Sequence, residues 1–216
     1  MTLSITVIII IITCLVSFGA FSSQKMINDL IFYPPAITEK NQWYRFFSCG
    51  LIHADLAHLA FNMLSLYMFG EFVEEKFSTE VYADNGKMLY LVMYIAALFV
   101  CLLPTFFKHK NDYNYRSLGA SGAVSAVVFA GMLLEPRVRV GLFFIPPIIP
   151  AYIFGPIYLL FSTLLQKRGG GNINHSAHIW GAVFGLAFVI LACYFLKTDY
   201  QPVQEFIQKV RSDLGR

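Results

Sequence analysis

Ser121 stands in the run Leu118-Gly119-Ala120-Ser121-Gly122-Ala123, and residues 117–134 contain no charged side chain. A hydroxyl at the opening of an apolar helix, flanked by Gly119 and Gly122, can be approached closely by another chain. The first-turn N–H groups of such a helix point at whatever binds there. The same amides can stabilise an oxyanion, which suits a nucleophile. His178 lies three residues before Gly181 in Asn174-His175-Ser176-Ala177-His178-Ile179-Trp180-Gly181. Gly181 and Gly185 form a small-xxx-small face that permits tight helix contact, and His178 shares that face. A serine on one helix and a histidine on a close neighbour can form a pair. The imidazole takes the hydroxyl proton and returns it to a leaving amine.

A third cluster is His53-Ala54-Asp55-Leu56-Ala57-His58-Leu59-Ala60-Phe61-Asn62. His58 and Asn62 are four apart and share one helix face, which Ser65 continues. An ionisable group near a bilayer centre costs ~2.5–3.5 kcal/mol on insertion scales, so it usually faces a cavity. Taken singly, each of these residues also fits interhelical hydrogen bonding or small-residue packing. His175, one turn before His178, reads as an interfacial or loop residue.

The elements that must position these groups follow from composition. The 216 residues are 57% hydrophobic and only 13% charged, against about 25% charge in soluble domains. Uncharged runs cover residues 1–24, 88–107, 117–134, 140–166 and 169–196, histidine aside, and 56–70 contains only His58. Each supplies the roughly 17–25 residues needed to cross a ~30 Å hydrocarbon core, the last with its flanks included. The period-2 alternation of a barrel is missing. The expectation is an all-α membrane protein of six transmembrane helices in one domain, 1–196, followed by a short polar tail, 197–216. The first helix is placed at about 3–21, a long interfacial connection at 22–51 and helices two to six at about 52–196. A cleaved signal peptide is the alternative for the first segment, disfavoured because no Lys or Arg precedes its apolar core.

The connection 22–51 carries Trp43, Tyr44, Phe46 and Phe47, and such aromatics favour the membrane interface. The fifth span contains Pro146, Pro147, Pro150 and Pro156, so it should be kinked or late-starting. In the tail, Val203, Phe206, Ile207, Val210 and Leu214 line one face of an amphipathic helix. Cys14, Cys49, Cys101 and Cys193 show no CxxC spacing, which indicates neither disulfides nor a thiolate site. The net charge of +3 is too small to suggest nucleic acid. Lys and Arg divide eight to eight between the two sides, so charge does not orient the chain. In an alternating six-helix topology, helices two, four and six enter from one face. His58, Ser121 and His178 then lie at similar depth.

In this order, the motifs His58-x-x-x-Asn62, Gly119-Ala120-Ser121-Gly122 and Ala177-His178-x-x-Gly181-x-x-x-Gly185 resemble the rhomboid family of intramembrane serine proteases. The likeness runs from Trp43 to about Leu191. Trp43-Tyr44-Arg45 resembles the family's aromatic–Arg feature, and Gly70-x-x-x-Glu74 its end of helix two, with Glu74 structural. The resemblance implies a catalytic dyad of Ser121 as nucleophile and His178 as base and then acid. It gives His58, Asn62 and the Ser121 amide as oxyanion donors, with Gly119 in the same binding loop. It implies no cofactor or metal, transmembrane proteins as substrates, and a gating role for the fifth span. It further implies a cytoplasmic N-terminus, an outward-facing site and the plasma membrane of a bacterium. The pattern departs at Ser125, where many rhomboids carry an aromatic residue that stacks on the imidazole. The ring must then be held differently, for instance by a hydrogen bond. The competing readings are a catalytically silent rhomboid-like protein that binds transmembrane clients, a metalloenzyme using these histidines, and a transporter. The silent relatives typically lose the serine or histidine; no HExxH is present for the metal, and no repeat for the transporter.

Overall fold

The computed structural model describes residues 3–142, 145–168 and 174–215. Helix α1 (Ile5–Phe21) starts at Ser4, whose hydroxyl accepts from the Val7 N–H. It turns Thr6, Thr13, Ser17 and Ala20 inward and leaves Leu15 and Phe18 outside. Large apolar side chains outside and small ones inside are what lipid demands, because small residues let helices approach and lipid tails accept the rest.

The connection 22–51 is helical over much of its length. It contains α2 (Gln24–Leu30), α3 (Pro34–Lys40) and α4 (Arg45–Ser48). Pro34 and Pro35 open α3, where a missing N–H is harmless. Buried Arg45 donates to the carbonyls of Asn28 and Ile31 and to the Gln42 side chain, which ties the connection together. Trp43 and Tyr44 remain about half exposed.

Helix α5 (Leu56–Lys76) is capped by Asp55, whose carboxylate accepts the His58 N–H at 2.8 Å. A π turn, Phe77–Val81, prolongs it, so this span is longer than the uncharged run 56–70 indicated. Glu74 therefore lies within the helix. Its buried carboxylate accepts the Ile5 and Thr6 N–H groups at 2.9 Å and the Thr6 hydroxyl at 3.0 Å. Tyr90 closes the cluster 2.9 Å from that hydroxyl. Helix α6 (Gly86–Val100) breaks at Cys101, and α7 (Leu103–His109) restarts with a proline in its first turn.

Helix α8 (Ser121–Leu134) is the centre of the bundle, with every residue but Ser121 and Val128 buried. It packs against α5, α6, α9 (Ala151–Arg168) and α10 (His175–Leu196). Its 14 residues rise only about 21 Å, against ~30 Å of hydrocarbon. One end of α8 must therefore lie below the membrane surface.

The fifth span departs from a single helix over 140–166. Strands β1 (Arg139–Leu142) and β2 (Ile145–Pro150) pair antiparallel, with Arg139 opposite Pro150 and Val140 opposite Ile149. Pro146, Pro147 and Pro150 fall in β2, and only Pro156 is inside α9. Without an N–H, each proline costs a helix interior one hydrogen bond and clashes with the preceding turn, so a cluster of three is better placed on an edge strand. The helix accordingly starts late. Residues 169–173, at the start of the sixth apolar run, lie outside the described residues.

Asn174 caps α10, its side chain accepting from the Ala177 N–H at 3.1 Å and from the Thr105 hydroxyl at 3.2 Å. Helix α11 (Pro202–Asp213) docks through Lys209, whose Nζ donates to the Leu134 carbonyl at 2.6 Å and lies 3.5 Å from Glu135. Among the described residues, three helical stretches, Leu56–Val81, Ala83–His109 and His175–Leu196, are long and apolar enough to cross a bilayer; Ile5–Phe21 and Ser121–Leu134 are apolar but shorter. The chain is an all-α membrane bundle with one small hairpin at the foot of α9.

Candidate active site

Ser121 is the first residue of α8, and the first bond of that helix runs from the Val124 N–H to the Ala120 carbonyl. The Ser121, Gly122 and Ala123 amides precede it and point out of the helix end. Gly119 makes this turn possible. Its φ of 109° is a conformation that a side chain would strain, and a Cβ there would lie 2.7 Å from Cε1 of His58. The turn is anchored on both sides. The Gly119 N–H donates to the Cys49 carbonyl at 2.9 Å, and the Ala120 N–H reaches Nε2 of His53 at 3.4 Å.

Helix α10 passes α8 at a spacing that only glycines allow. A Cβ on Gly181 would strike the Gly122 carbonyl oxygen, and one on Gly185 that of Ala126. One turn into α10, His178 places Nε2 2.7 Å from the Ser121 hydroxyl oxygen. Its other ring nitrogen, Nδ1, lies 3.1 Å from the phenol oxygen of Tyr158 on α9. The ring is therefore gripped at both ends.

His58 and Asn62 stand on the α5 face that meets this turn. The Ala54 N–H donates to His58 Nδ1 at 3.4 Å, so in the neutral ring Nε2 carries the proton. That nitrogen is the one nearest Gly119. Asn62 is buried and gives one of its amide protons to the His58 carbonyl at 2.9 Å, which leaves the second to donate elsewhere. A cavity of about 20 Å³ beside Ser121 is lined by Leu98, Cys101, Leu118, Gly119, Gly122 and Asn174, among others. It holds little more than one water molecule.

Ser121, His178, His58 and Gly119, each singled out in the sequence, thus meet at one end of α5, α8 and α10, and Asn62 lies one turn further along α5, bonded to the His58 carbonyl. His175 is the first residue of α10 rather than a loop residue, with its ring 6.0 Å from that of His178. Sequence reasoning missed Tyr158 and gave His53 no part in this site. Tyr158 sits 20 residues from His178 in another helix, and no spacing links them. His53 is fully buried; its Nδ1 meets the Ser17 hydroxyl at 3.0 Å while that hydroxyl donates to the Leu51 carbonyl. Burial, with His58 beside it, pushes the His53 imidazole down to about 4. It is neutral at ordinary pH, as an acceptor for the Ala120 N–H has to be.

A match to the rhomboid domain covers residues 40–195. The chain is 30% identical over 178 residues to "RHOMBOID-like protein 12, mitochondrial" of Arabidopsis thaliana, covering 77% of this chain and 51% of that one. It is 26% identical over 152 residues to "Putative rhomboid protease YdcA" of Bacillus subtilis (strain 168), covering 69% and 67%. It is 24% identical over 167 residues to "Presenilin-associated rhomboid-like protein, mitochondrial" of Homo sapiens, covering 74% and 41%. The chain thus spans about half the length of several relatives it matches.

Proposed function

Because this chain belongs to the rhomboid family, we propose that it is an intramembrane serine endopeptidase that cuts transmembrane segments of other membrane proteins. The observation that carries the reading is the 2.7 Å contact between Ser121 Oγ and His178 Nε2. In the proposed reaction the hydroxyl donates its proton to Nε2 as Oγ attacks the scissile carbonyl. His178 then passes the proton to the leaving amine, and a water repeats the sequence to free the acyl group. The Ser121 N–H, His58 Nε2–H and the free Asn62 proton would meet the developing oxyanion. No cofactor or metal is required by this chemistry.

The short central helix supports a site below the membrane surface, reached by a substrate from within the bilayer. Backbone carbonyls in a helical substrate are occupied, so the segment to be cut must unwind first. The small cavity beside Ser121 favours a small side chain at the cut. The membrane setting is common to the family. The bacterial plasma membrane expected from the sequence finds no support in these relatives, two of which are named mitochondrial beside one from a bacterium.

The test is fluorophosphonate labelling of purified protein, together with cleavage of a reporter transmembrane substrate. Wild type should label and cut, and both Ser121→Ala and His178→Ala should abolish each activity. Folded wild type that neither labels nor cuts would instead support a silent rhomboid-like protein that binds transmembrane clients.

A further inference from the structure

We propose that Tyr158 is a positioning residue for this reaction, its phenol oxygen accepting the Nδ1–H of His178 so that Nε2 is held toward Ser121 as a proton acceptor. The inference rests on the protease reading above, and it adds a residue from a third helix. Ser121 can give up its proton only if Nε2 of the neutral ring is bare, and then Nδ1 carries the hydrogen. The group 3.1 Å from Nδ1 must therefore accept. A phenol does so only if its own proton is directed elsewhere.

The surroundings of Tyr158 supply that direction. Ser125, on α8, and Ser162, one turn further along α9, place their hydroxyls beside this phenol. Both serines are buried, so neither can rely on bulk water for a partner. A serine hydroxyl accepts as well as donates, so either can take the phenol proton, which leaves an oxygen lone pair facing Nδ1. Were the phenol proton to turn toward Nδ1 instead, Nε2 would carry the hydrogen and donate to Ser121, an arrangement that cannot attack.

Ring packing fixes the phenol in place. The Tyr158 ring lies 5.8 Å from that of Phe129 on α8 and stacks 6.0 Å from Phe154 one turn earlier on α9. Ser125 lies one turn beyond Ser121 on the face that α9 approaches, and a side chain that small leaves room for the phenol. When His178 becomes an imidazolium, Nδ1 keeps its hydrogen and the same contact becomes a bond to a charged donor, which is the stronger kind. The contact therefore favours the transition state over the resting state.

The test is Tyr158→Phe, which keeps the ring packing and removes only the oxygen. Steady-state cleavage of the reporter transmembrane substrate should show kcat lower by about 10- to 100-fold, the range for a hydrogen bond to a charged group. KM should stay within about twofold of wild type. Tyr152→Phe, which removes a phenol on the same helix bonded to Asp213 outside the site, should leave both constants unchanged. A loss in kcat smaller than about threefold, or one carried by KM alone, overturns the proposal while leaving an active protease. Wild type without activity would instead remove the reading on which it stands. The double variant Ser125→Ala, Ser162→Ala keeps Tyr158 but takes away the acceptors of its proton. It should lose about 3- to 10-fold in kcat, and unchanged kcat there also overturns the proposal. This pair carries the test if the Tyr158→Phe protein does not fold.

Discussion

Replacing Gly181 by alanine adds one methyl group at the place where α10 presses on α8. The added Cβ would strike the carbonyl oxygen of Gly122, the residue next to Ser121. Backbone cannot swing aside as a flexible side chain can. The two helices must part by about 1 Å or more to restore ordinary contact. Because His178 and Ser121 lie within one turn of that contact, their 2.7 Å separation would open to about 3.7 Å, beyond a hydrogen bond. A displacement of this size costs on the order of 100-fold in rate. The stability change is smaller: overpacking costs about 1–3 kcal/mol, and the gain in helix propensity from glycine to alanine returns up to about 1. The Gly181→Ala protein should therefore fold with a modestly lower Tm while kcat on the reporter substrate falls about 100-fold. Fluorophosphonate labelling should slow in parallel. Gly131→Ala is the control, since the nearest atoms to its Cβ would be side-chain atoms of Phe69, Val73 and Phe72, at 3.1, 3.3 and 3.7 Å. It should stay within about threefold of wild type, the loss that one displaced phenyl ring can cause. A folded Gly181→Ala protein that cuts within threefold of wild type would refute the claim that helix spacing sets the pair.

Asn62→Ala should lower kcat by about 100- to 1000-fold with little change in KM, the usual result of deleting an oxyanion donor. Cleavage kinetics decide it, and a loss below about fivefold would remove Asn62 from that role. His53 gives a pH dependence whose sign can be worked out. Its folded pKa of about 4 lies below the usual 6.5, so between these values the unfolded chain binds more protons. Its contribution is complete above pH 6.5, is lost as pH falls toward 4, and is worth up to about 3 kcal/mol. Thermal unfolding in detergent should show Tm declining across that window, and less steeply in His53→Gln; identical slopes would show that another group is responsible.

The membrane class was legible because lipid leaves a coarse mark, long runs without charge. The residues that meet at Ser121 were legible because each is costly or unusual inside such a run. Four features were not. The break at Cys101 leaves no trace in hydropathy, since both α6 and α7 are apolar. The hairpin before α9 was visible only as a cluster of prolines, which forbids a helix interior without saying what replaces it. Tyr158 escaped because its role exists only once α9 is laid beside α10; a phenol in an apolar helix looks like any interfacial aromatic. His53 stands in the sequence only as one of several histidines, and its buried position under the Ser121 turn depends on contacts with α1 and the connection before α5.

The Glu74 cluster bears on the order in which the bundle assembles. Helix α1 would emerge from the ribosome and enter the bilayer before α5 exists, with the Ile5 and Thr6 N–H groups lacking the carboxylate that accepts them in the finished protein. Until then those groups must stay hydrated at the membrane surface, because an unsatisfied N–H in hydrocarbon costs several kcal/mol. Helix α1 is thereby kept shallow and loosely held during synthesis. Docking of α5, with Tyr90 of α6 closing over Thr6, would draw it to its final depth. On this account a helix made before α5 is locked only after α5 and α6 have docked.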